Sequence, residues 1–164
     1  AFALNMTDKL HDFVEQLKQK NETWVTEVRE AFGEVTVIMP REAVEAACFF
    51  LRDEHNFDLL ADLCGCDRGP EEEPRFEVNY HLFSTTHHNR LRLKAFLAED
   101  DATISTVTHV WRTAEWHERE TYDLLGINFE GHPDLRRILL PSDFDGHALR
   151  KDYPLRGYEP YSMN

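Results

Sequence analysis

Two stretches of alternating apolar and polar residues near the middle of the sequence constrain its fold most. Apolar residues occupy every second position of 76–82 and again every second position of 91–97. Strict alternation puts these side chains on one face of a β-strand, and the polar stretch 84–89 between the two runs predicts a hairpin. Because one face of this hairpin is apolar, it must be covered by helices or by another sheet.

The segments before the hairpin predict the covering layer and further strands. Apolar residues at helical spacing predict helices over residues 7–20 and 41–54. Two β-type runs predict strands over residues 35–39 and 57–63, and Gly65 is expected to break the second.

The two remaining segments of this region are less regular. Residues 21–34 allow another helical stretch, and residues 103–111 have the spacing of a short helix. The order of elements predicts an α+β fold, a two-layer α/β domain with a mixed β-sheet and helices on one face, over residues 1–130. An extended C-terminal arm is expected to follow over residues 131–164.

Composition excludes several classes of function. The chain has 164 residues and a formal net charge of −13, so nucleic acid is not expected as a partner, because phosphate binding needs clustered Lys and Arg. No run approaches the roughly 20 apolar residues of a membrane-spanning helix, and the start of the sequence lacks the pattern of a secretory signal. The three cysteines, an odd number, favour a reducing compartment over a disulfide framework.

A metal site is considered and not predicted. Cys64 and Cys66, with His81 or the pair 87–88, offer possible ligands. Structural zinc prefers cysteines in a C-x2-C spacing and four ligands, and iron–sulfur clusters usually take four thiolates. Cys48 and Cys64 are instead expected in the core as small apolar residues.

Known catalytic motifs do not fit either. His117 begins a sequence like that of a helical zinc protease, but Thr121 stands where the second histidine would be. The sequence has no phosphate-binding glycine loop and no Gly-x-Ser-x-Gly motif. No catalytic, cofactor-binding or metal-binding residue is therefore predicted.

A dense group of charges lies in residues 116–126, which we predict to be helical. Arg119 and Asp123 are four residues apart and can form an ion pair along the helix. Glu118 lies on the apolar side, where a carboxylate needs a partner, and Arg136 and Arg137 are the expected partners. A helix exposed to solvent with pairs along its surface is the simpler interpretation of such a run.

The same carboxylates allow an interpretation from another class, an acid–base enzyme that uses Glu118, Glu120 and Asp123. Structural ion networks also perturb the pKa values of carboxyl groups, so the location of these three side chains decides between the structural and the catalytic interpretation. A catalytic trio should line an open pocket, whereas a structural trio should face a partner or the arginines of the arm.

The segment after this helix changes in character. Four of the seven prolines fall in residues 131–164, where charge is balanced by five basic and five acidic residues. Prolines prevent a long helix or a central strand there, yet apolar residues remain frequent. An extended segment of this content needs a surface that buries it, either its own domain or a partner.

The motifs of this region together resemble the 30 kDa subunit of respiratory complex I, a component of the bacterial NADH:quinone oxidoreductase. The resemblance covers residues 116–155 and rests on five segments, 118–120, 122–124, 126–127, 131–138 and 149–154. Ala148 departs from it, since many members have Pro after the Gly-His pair. The residues that match the family signature are expected to be structural or interface residues: Glu118, Arg119, Glu120, Asp123, Gly126, His132, Pro133, Arg136, Arg137, His147, Arg150, Lys151, Asp152, Tyr153 and Pro154.

The resemblance implies a non-catalytic subunit of the peripheral arm of a proton-translocating NADH:quinone oxidoreductase. Such a subunit has no cofactor of its own, since FMN, Fe–S clusters and quinone lie in partner subunits. Its implied partners are the 49 kDa-type quinone-site subunit and the neighbouring Fe–S subunits. The implied location is the cytoplasmic side of the cell inner membrane, held there indirectly, or the matrix side in a mitochondrion. The equivalent subunit of a membrane-bound hydrogenase or another complex-I-like enzyme is the alternative.

Overall fold

Three helices and seven strands make up the described part of the molecule. The computed structural model describes residues 6–157, with the side chains of 6–9 left aside, so the last seven residues of the predicted arm lie outside the described residues. Short 3-10 turns precede β1 and α2. The elements in chain order are α1 (Met6–Lys20), β1 (Glu27–Ala31), β2 (Glu34–Ile38), α2 (Val44–His55), β3 (Leu59–Asp67), β4 (Phe76–Ser84), β5 (Asn89–Leu97), β6 (Thr103–Ser105), α3 (Ala114–Leu125) and β7 (Asn128–Glu130).

Five strands form one mixed sheet in the order β1-β2-β5-β4-β3. Strand β2 runs parallel to β5, and the other neighbours are antiparallel. The predicted hairpin forms its centre, with β4 and β5 paired from Phe76↔Leu97 to Ser84↔Asn89. The prediction of an α+β fold with a mixed sheet is confirmed.

The apolar face of the hairpin joins one core with α1 and α2. The alternating residues of β4 and β5 are almost fully buried, as the sequence pattern requires. Helix α1 contributes Leu10, Val14 and Leu17, and α2 contributes Val44 and Leu51. Among residues 6–157, no helix combines the length and apolarity that crossing a bilayer requires.

Two segments differ from the sequence-based expectation. Residues 21–34 hold a 3-10 turn and strand β1, and the tight turn between β1 and β2 uses Phe32 and Gly33 at φ 55° and 77°. Residues 103–105 form β6, which pairs in parallel with the distant strand β7, as in Thr103↔Asn128. Such a distant pairing overrides a local helical spacing, so the helix predicted over residues 103–111 is wrong. Residues 21–34 do not form the helical stretch that their spacing allows, because β1 pairs locally with β2.

Gly65 lies inside β3 and does not break it. A Cβ atom at this position would lie 2.6 Å from Leu125 Cδ1 and 2.7 Å from Thr121 Cγ2. The missing side chain therefore lets α3 approach β3 closely, which is a common reason for a glycine within a strand.

Candidate functional site

The charged helix and the arm form one structural unit. Residues 131–157, the described part of the arm, consist of turns and bends without a helix or strand, and they return onto α3. We call the contact between α3 and residues 132–153 the arm joint. Gly126 ends α3 at φ 76°, and a Cβ atom there would lie 2.5 Å from His147 Nε2 and 2.7 Å from Arg150 Nη2. A glycine is thus required by both the left-handed conformation and the close approach of the arm.

Asp123 is the centre of the arm joint. Its buried carboxylate accepts hydrogen bonds through Oδ2 from the backbone N–H groups of Ile138, Leu139 and Leu140, at 3.0, 2.8 and 2.9 Å. The other oxygen, Oδ1, accepts from Arg137 Nη1 at 2.8 Å. Burial acts to raise the pKa of Asp123, but the three N–H groups and Arg137 outweigh it and hold the pKa below its ordinary value.

Two arginines join the backbones of the helix and the arm. Arg137 also donates to the carbonyl oxygens of Phe144 and Gly146, at 3.0 and 2.9 Å, so that one guanidinium closes a loop of the arm. Arg119 donates from α3 to the carbonyl oxygens of Arg136 and Arg137, both at 3.2 Å. The predicted pair of Arg119 with Asp123 is therefore wrong, because the arm covers this side of the helix and offers each residue a different partner.

The arm also satisfies the carbonyl groups at the C-terminal end of α3. Leu149 N–H donates to Leu124 O at 3.0 Å, and Arg150 Nε donates to Leu125 O at 2.7 Å. His147 Nδ1 lies 2.9 Å from Asp123 O, and burial lowers the pKa of this imidazole. Helix ends leave such carbonyls unpaired and partly negative, so a cation and N–H donors stabilise them.

His132 connects the start of the arm to α3. Its Nδ1 accepts from the Asp134 N–H at 3.0 Å, so Nε2 carries the proton and donates to Glu115 O at 3.1 Å. Pro133 follows in the same turn. Arg136 pairs with Asp134 at the surface, at 2.8 Å.

A second anchor fastens the far end of the arm to the sheet. The Arg75 side chain is 1% exposed and binds Asp67 with two hydrogen bonds, at 3.0 and 2.8 Å. The same guanidinium binds Asp152 of the arm at 2.7 and 3.2 Å and Glu99 at 2.6 Å. Burial acts to raise the pKa of Asp67, but Arg75 and backbone N–H groups, including that of Lys151 at 2.7 Å, hold it at about 2.

Aromatic stacking closes the arm between the two anchors. The rings of Tyr153 and Phe144 stack with centroids 5.7 Å apart, and Tyr153 lies over Gly146, where a Cβ atom would be 3.0 Å from the ring. The Pro154 carbonyl accepts from the Gly157 N–H at 2.8 Å. Lys151 Nζ donates to Arg68 O at 3.0 Å.

Glu118 is fully buried, as expected, but its partners are not the arginines of the arm. It accepts from Thr106 Oγ1 at 2.5 Å and from the Val107 N–H at 2.7 Å. Burial raises the pKa of the Glu118 carboxyl to about 7, and these two hydrogen bonds oppose the rise only in part. The expected pairing with Arg136 or Arg137 is wrong, because Asp123 and surface Asp134 take those cations.

The three carboxylates of the enzyme interpretation do not converge. Glu118 points into the loop before α3, Asp123 points into the arm, and both are fully buried. Glu120 is exposed and lines a shallow groove beside β3. Because the three carboxylates face three different surroundings, they do not form the catalytic trio that the enzyme interpretation requires.

Sequence reasoning missed three residues of this region, namely Arg75, Asp67 and Thr106. Arg75 and Asp152 are separated by 77 positions, and an acidic loop precedes Arg75, so nothing local marks it as a buried anchor. Thr106 lies in the segment 103–111, for which the sequence wrongly predicts a helix. A buried Glu118 without an arginine does require a neutral donor nearby, which is the one signal that could have found it.

The described residues form an α+β domain. Helices cover its mixed sheet, and the anchored arm follows the domain. The chain belongs to the family described as respiratory-chain NADH dehydrogenase, 30 Kd subunit, whose family model matches residues 37–159. It is 49% identical over 148 residues to the C subunit of the NADH-quinone oxidoreductase of Geobacter sulfurreducens, and the match spans 89% of this chain and 91% of that one. The resemblance seen in residues 116–155 is thereby confirmed.

Two solved structures share the fold. A trypsin-resistant fragment (1-134) of Nqo5 superposes with a TM-score of 0.67 at 32% identity, covering 77% of this chain and 99% of that chain. A polypeptide of the membrane-bound sulfane sulfur reductase, an archaeal respiratory membrane complex, superposes with a TM-score of 0.75 at 23% identity. That second match covers 90% of this chain and 86% of the other, and at this identity it shows the fold alone.

Proposed function

We propose that this chain is a non-catalytic structural subunit of a proton-translocating NADH:quinone oxidoreductase. In this role it holds the 49 kDa-type subunit and the cluster-bearing subunits together near the quinone site. Family membership and the relatives named as the C subunit of NADH-quinone oxidoreductase support the complex. The role as a docking subunit is supported by the arrangement of the arm.

The observation that carries the proposal is the division of the arm into two sides. Asp123 and Arg137 fasten the arm to α3, and Asp152 fastens it to Arg75. Three leucines remain exposed on it, Leu139 at 60%, Leu149 at 60% and Leu155 at 104%. Apolar side chains held outward by a fixed backbone are typical of a surface that a partner covers.

The same proposal includes the cofactors and the location that family membership implies. No redox cofactor belongs to this subunit, and FMN, Fe–S clusters and quinone belong to its partners. It lies at the cytoplasmic face of the inner membrane and is held there through the complex. The trypsin-resistant fragment (1-134) of Nqo5 supports a domain that is separable from its arm, as in the division at residue 130.

The test replaces the three exposed leucines of the arm by serine in the full chain. Because these side chains contact solvent, the variant should fold like the wild type but lose association with its partners. The measurement is recovery of the other subunits with the affinity-tagged protein from detergent-solubilised membranes, quantified by mass spectrometry. Recovery with flavin- and NADH-binding subunits supports the NADH enzyme, whereas recovery with nickel-site subunits would support the hydrogenase alternative.

Phe32 provides a matched control. It is fully exposed at the tip of the β1–β2 hairpin, at the opposite edge of the sheet from β3 and α3. Phe32→Ser should leave association unchanged. Wild-type recovery of partners by the triple leucine variant would show that the arm does not dock the subunit.

A further inference from the structure

The polar face of the sheet, opposite the core, holds a cluster that the arm joint does not use. Asp62, Cys64 and His81 place one carboxylate oxygen, the thiol sulfur and one imidazole nitrogen within 4.8 Å of one another. Asp62 and His81 lie directly opposite each other on β3 and β4, and Cys64 is two positions further along β3 on the same face. All three groups are ligands that transition metals accept.

A β-bulge creates this arrangement. Leu60 pairs with Leu82, and both are buried, but the register then shifts so that Asp62 pairs with His81. Without the extra residue, Asp62 would share the parity of Leu60 and face the core. Bulges often re-aim a side chain beside a functional site, and this one brings Asp62 onto the face that carries Cys64 and His81.

The surroundings leave the cluster available to a cation. Two arginines are near His81. Arg92, directly opposite it across the sheet, is engaged with Thr36 and Glu34, and the guanidinium of Arg90 lies over the ring of Phe83. From α3, His117 Nδ1 lies 3.5 Å from the Asp62 carboxylate. A partner of this kind orients a ligating carboxylate and tunes its affinity for a metal.

We propose that Asp62, Cys64 and His81 bind one divalent transition-metal ion, with zinc as the ion that fits best. A sulfur, a nitrogen and an oxygen donor suit zinc, whose bonds of about 2.0–2.3 Å require the donor atoms to lie roughly 3.5 Å apart. Side-chain rotations that move these atoms by about an ångström bring them to that spacing. Three protein ligands leave a fourth position open to water or to a donor from a partner.

A metal at this place departs from the sequence-based expectation of none. The sequence-based interpretation pairs Cys64 with Cys66 as possible thiolate ligands and otherwise expects Cys64 in the core. The expectation of Cys64 in the core is wrong, because Cys64 lies half-buried on the polar face of the sheet, beside Asp62 and His81. Cys66 lies further along β3, opposite Glu77, and is not part of the cluster. The ligand that completes the set is Asp62, which only the bulge places on this face.

The test is a cobalt(II) titration of the full-length protein after removal of any affinity tag. Cobalt bound to a thiolate gives a charge-transfer absorption, which should saturate at one equivalent and disappear when zinc is added. Cys64→Ser should abolish the band, while the matched control Cys66→Ser should keep it. Circular dichroism of each variant checks that the fold is retained.

Competition for zinc with a chromophoric chelator measures how much the other ligands contribute to zinc affinity. His81→Ala and Asp62→Ala should each weaken zinc binding more than His117→Ala, which should weaken it about tenfold, as the loss of an outer partner does. Absence of a charge-transfer band in the wild type would overturn the proposal. So would a band that depends on Cys66, or zinc affinity unchanged in folded His81→Ala.

Discussion

Replacing Asp123 by alanine should detach the arm from a domain that stays folded. The carboxylate is fully buried and accepts four hydrogen bonds, three from consecutive N–H groups and one from Arg137. Breaking a buried ion pair by removing one partner costs about 3–5 kcal/mol. Each N–H left unpaired in place would cost about 1–3 kcal/mol more, so the arm should move out into water instead.

The free energy that holds the arm closed should fall by an amount near the low end of the range of about 3–5 kcal/mol. The reason is that Arg137 keeps three carbonyl partners on the arm and on α3. A loss of about 3 kcal/mol corresponds to an increase of about 100-fold in the population of the open arm. Native-state proteolysis reports this population when opening and closing are faster than cleavage. The arm offers trypsin several sites, including Arg150 and Lys151.

The expected result is therefore arm cleavage about 100-fold faster in Asp123→Ala than in the wild type, with a stable fragment that ends in the arm. Asp123→Asn should be intermediate, because one amide oxygen can still accept from the N–H groups. Glu120→Ala is the matched control, being on the same helix but exposed. Cleavage at the wild-type rate, or loss of the whole domain together with the arm, would refute the reasoning.

Three further predictions address the other anchors. Burial raises the pKa of Glu118 to about 7, above its unfolded value, so the folded state binds more protons than the unfolded state, and this group lowers the free energy of unfolding by about 3 kcal/mol as pH rises from 4 to 8. Urea unfolding should therefore show a loss of stability about 3 kcal/mol larger in the wild type than in Glu118→Gln over this pH range, and an equal loss in the two proteins would contradict this. Arg75→Ala should lower the free energy of unfolding by about 3–5 kcal/mol, and Arg75→Lys should restore only part of it, since lysine cannot bind two carboxylates in two-point fashion; equal stability in urea would contradict this. Gly126→Ala should lower the thermal midpoint through about 1–2 kcal/mol of backbone strain and through displacement of His147, and an unchanged midpoint would disprove it.

Local signals account for much of the fold and for part of the arm joint. Alternation predicts the β4–β5 hairpin, helical spacing predicts α1 and α2, and Gly126 marks the end of α3, because each pattern reflects short-range geometry. The burial of Glu118 against the exposure of Glu120 also follows from a helical wheel.

Partners that depend on distant segments could not be predicted. Arg75 meets Asp152 only because the arm crosses to the start of β4, and Thr106 meets Glu118 only because β6 pairs with β7. The predicted ion pair between Arg119 and Asp123 is wrong for the same reason, because both residues bind the distant arm instead. A helical wheel assumes that the polar side faces water, whereas here the arm covers that side with its own backbone.

The position of the arm over α3 suggests why a segment without regular structure makes so many polar contacts with the domain. Association costs free energy when flexible segments must be ordered, and a segment ordered beforehand avoids much of that cost. The anchors at Asp123 and Arg75 use hydrogen bonds to fix the backbone of the arm, so its leucines are left free to contact a partner. A partner that covers Leu139 and Leu149 would then gain apolar burial against an arm already in place. Under the proposed function, the buried charges of α3 would thus promote assembly by ordering the arm.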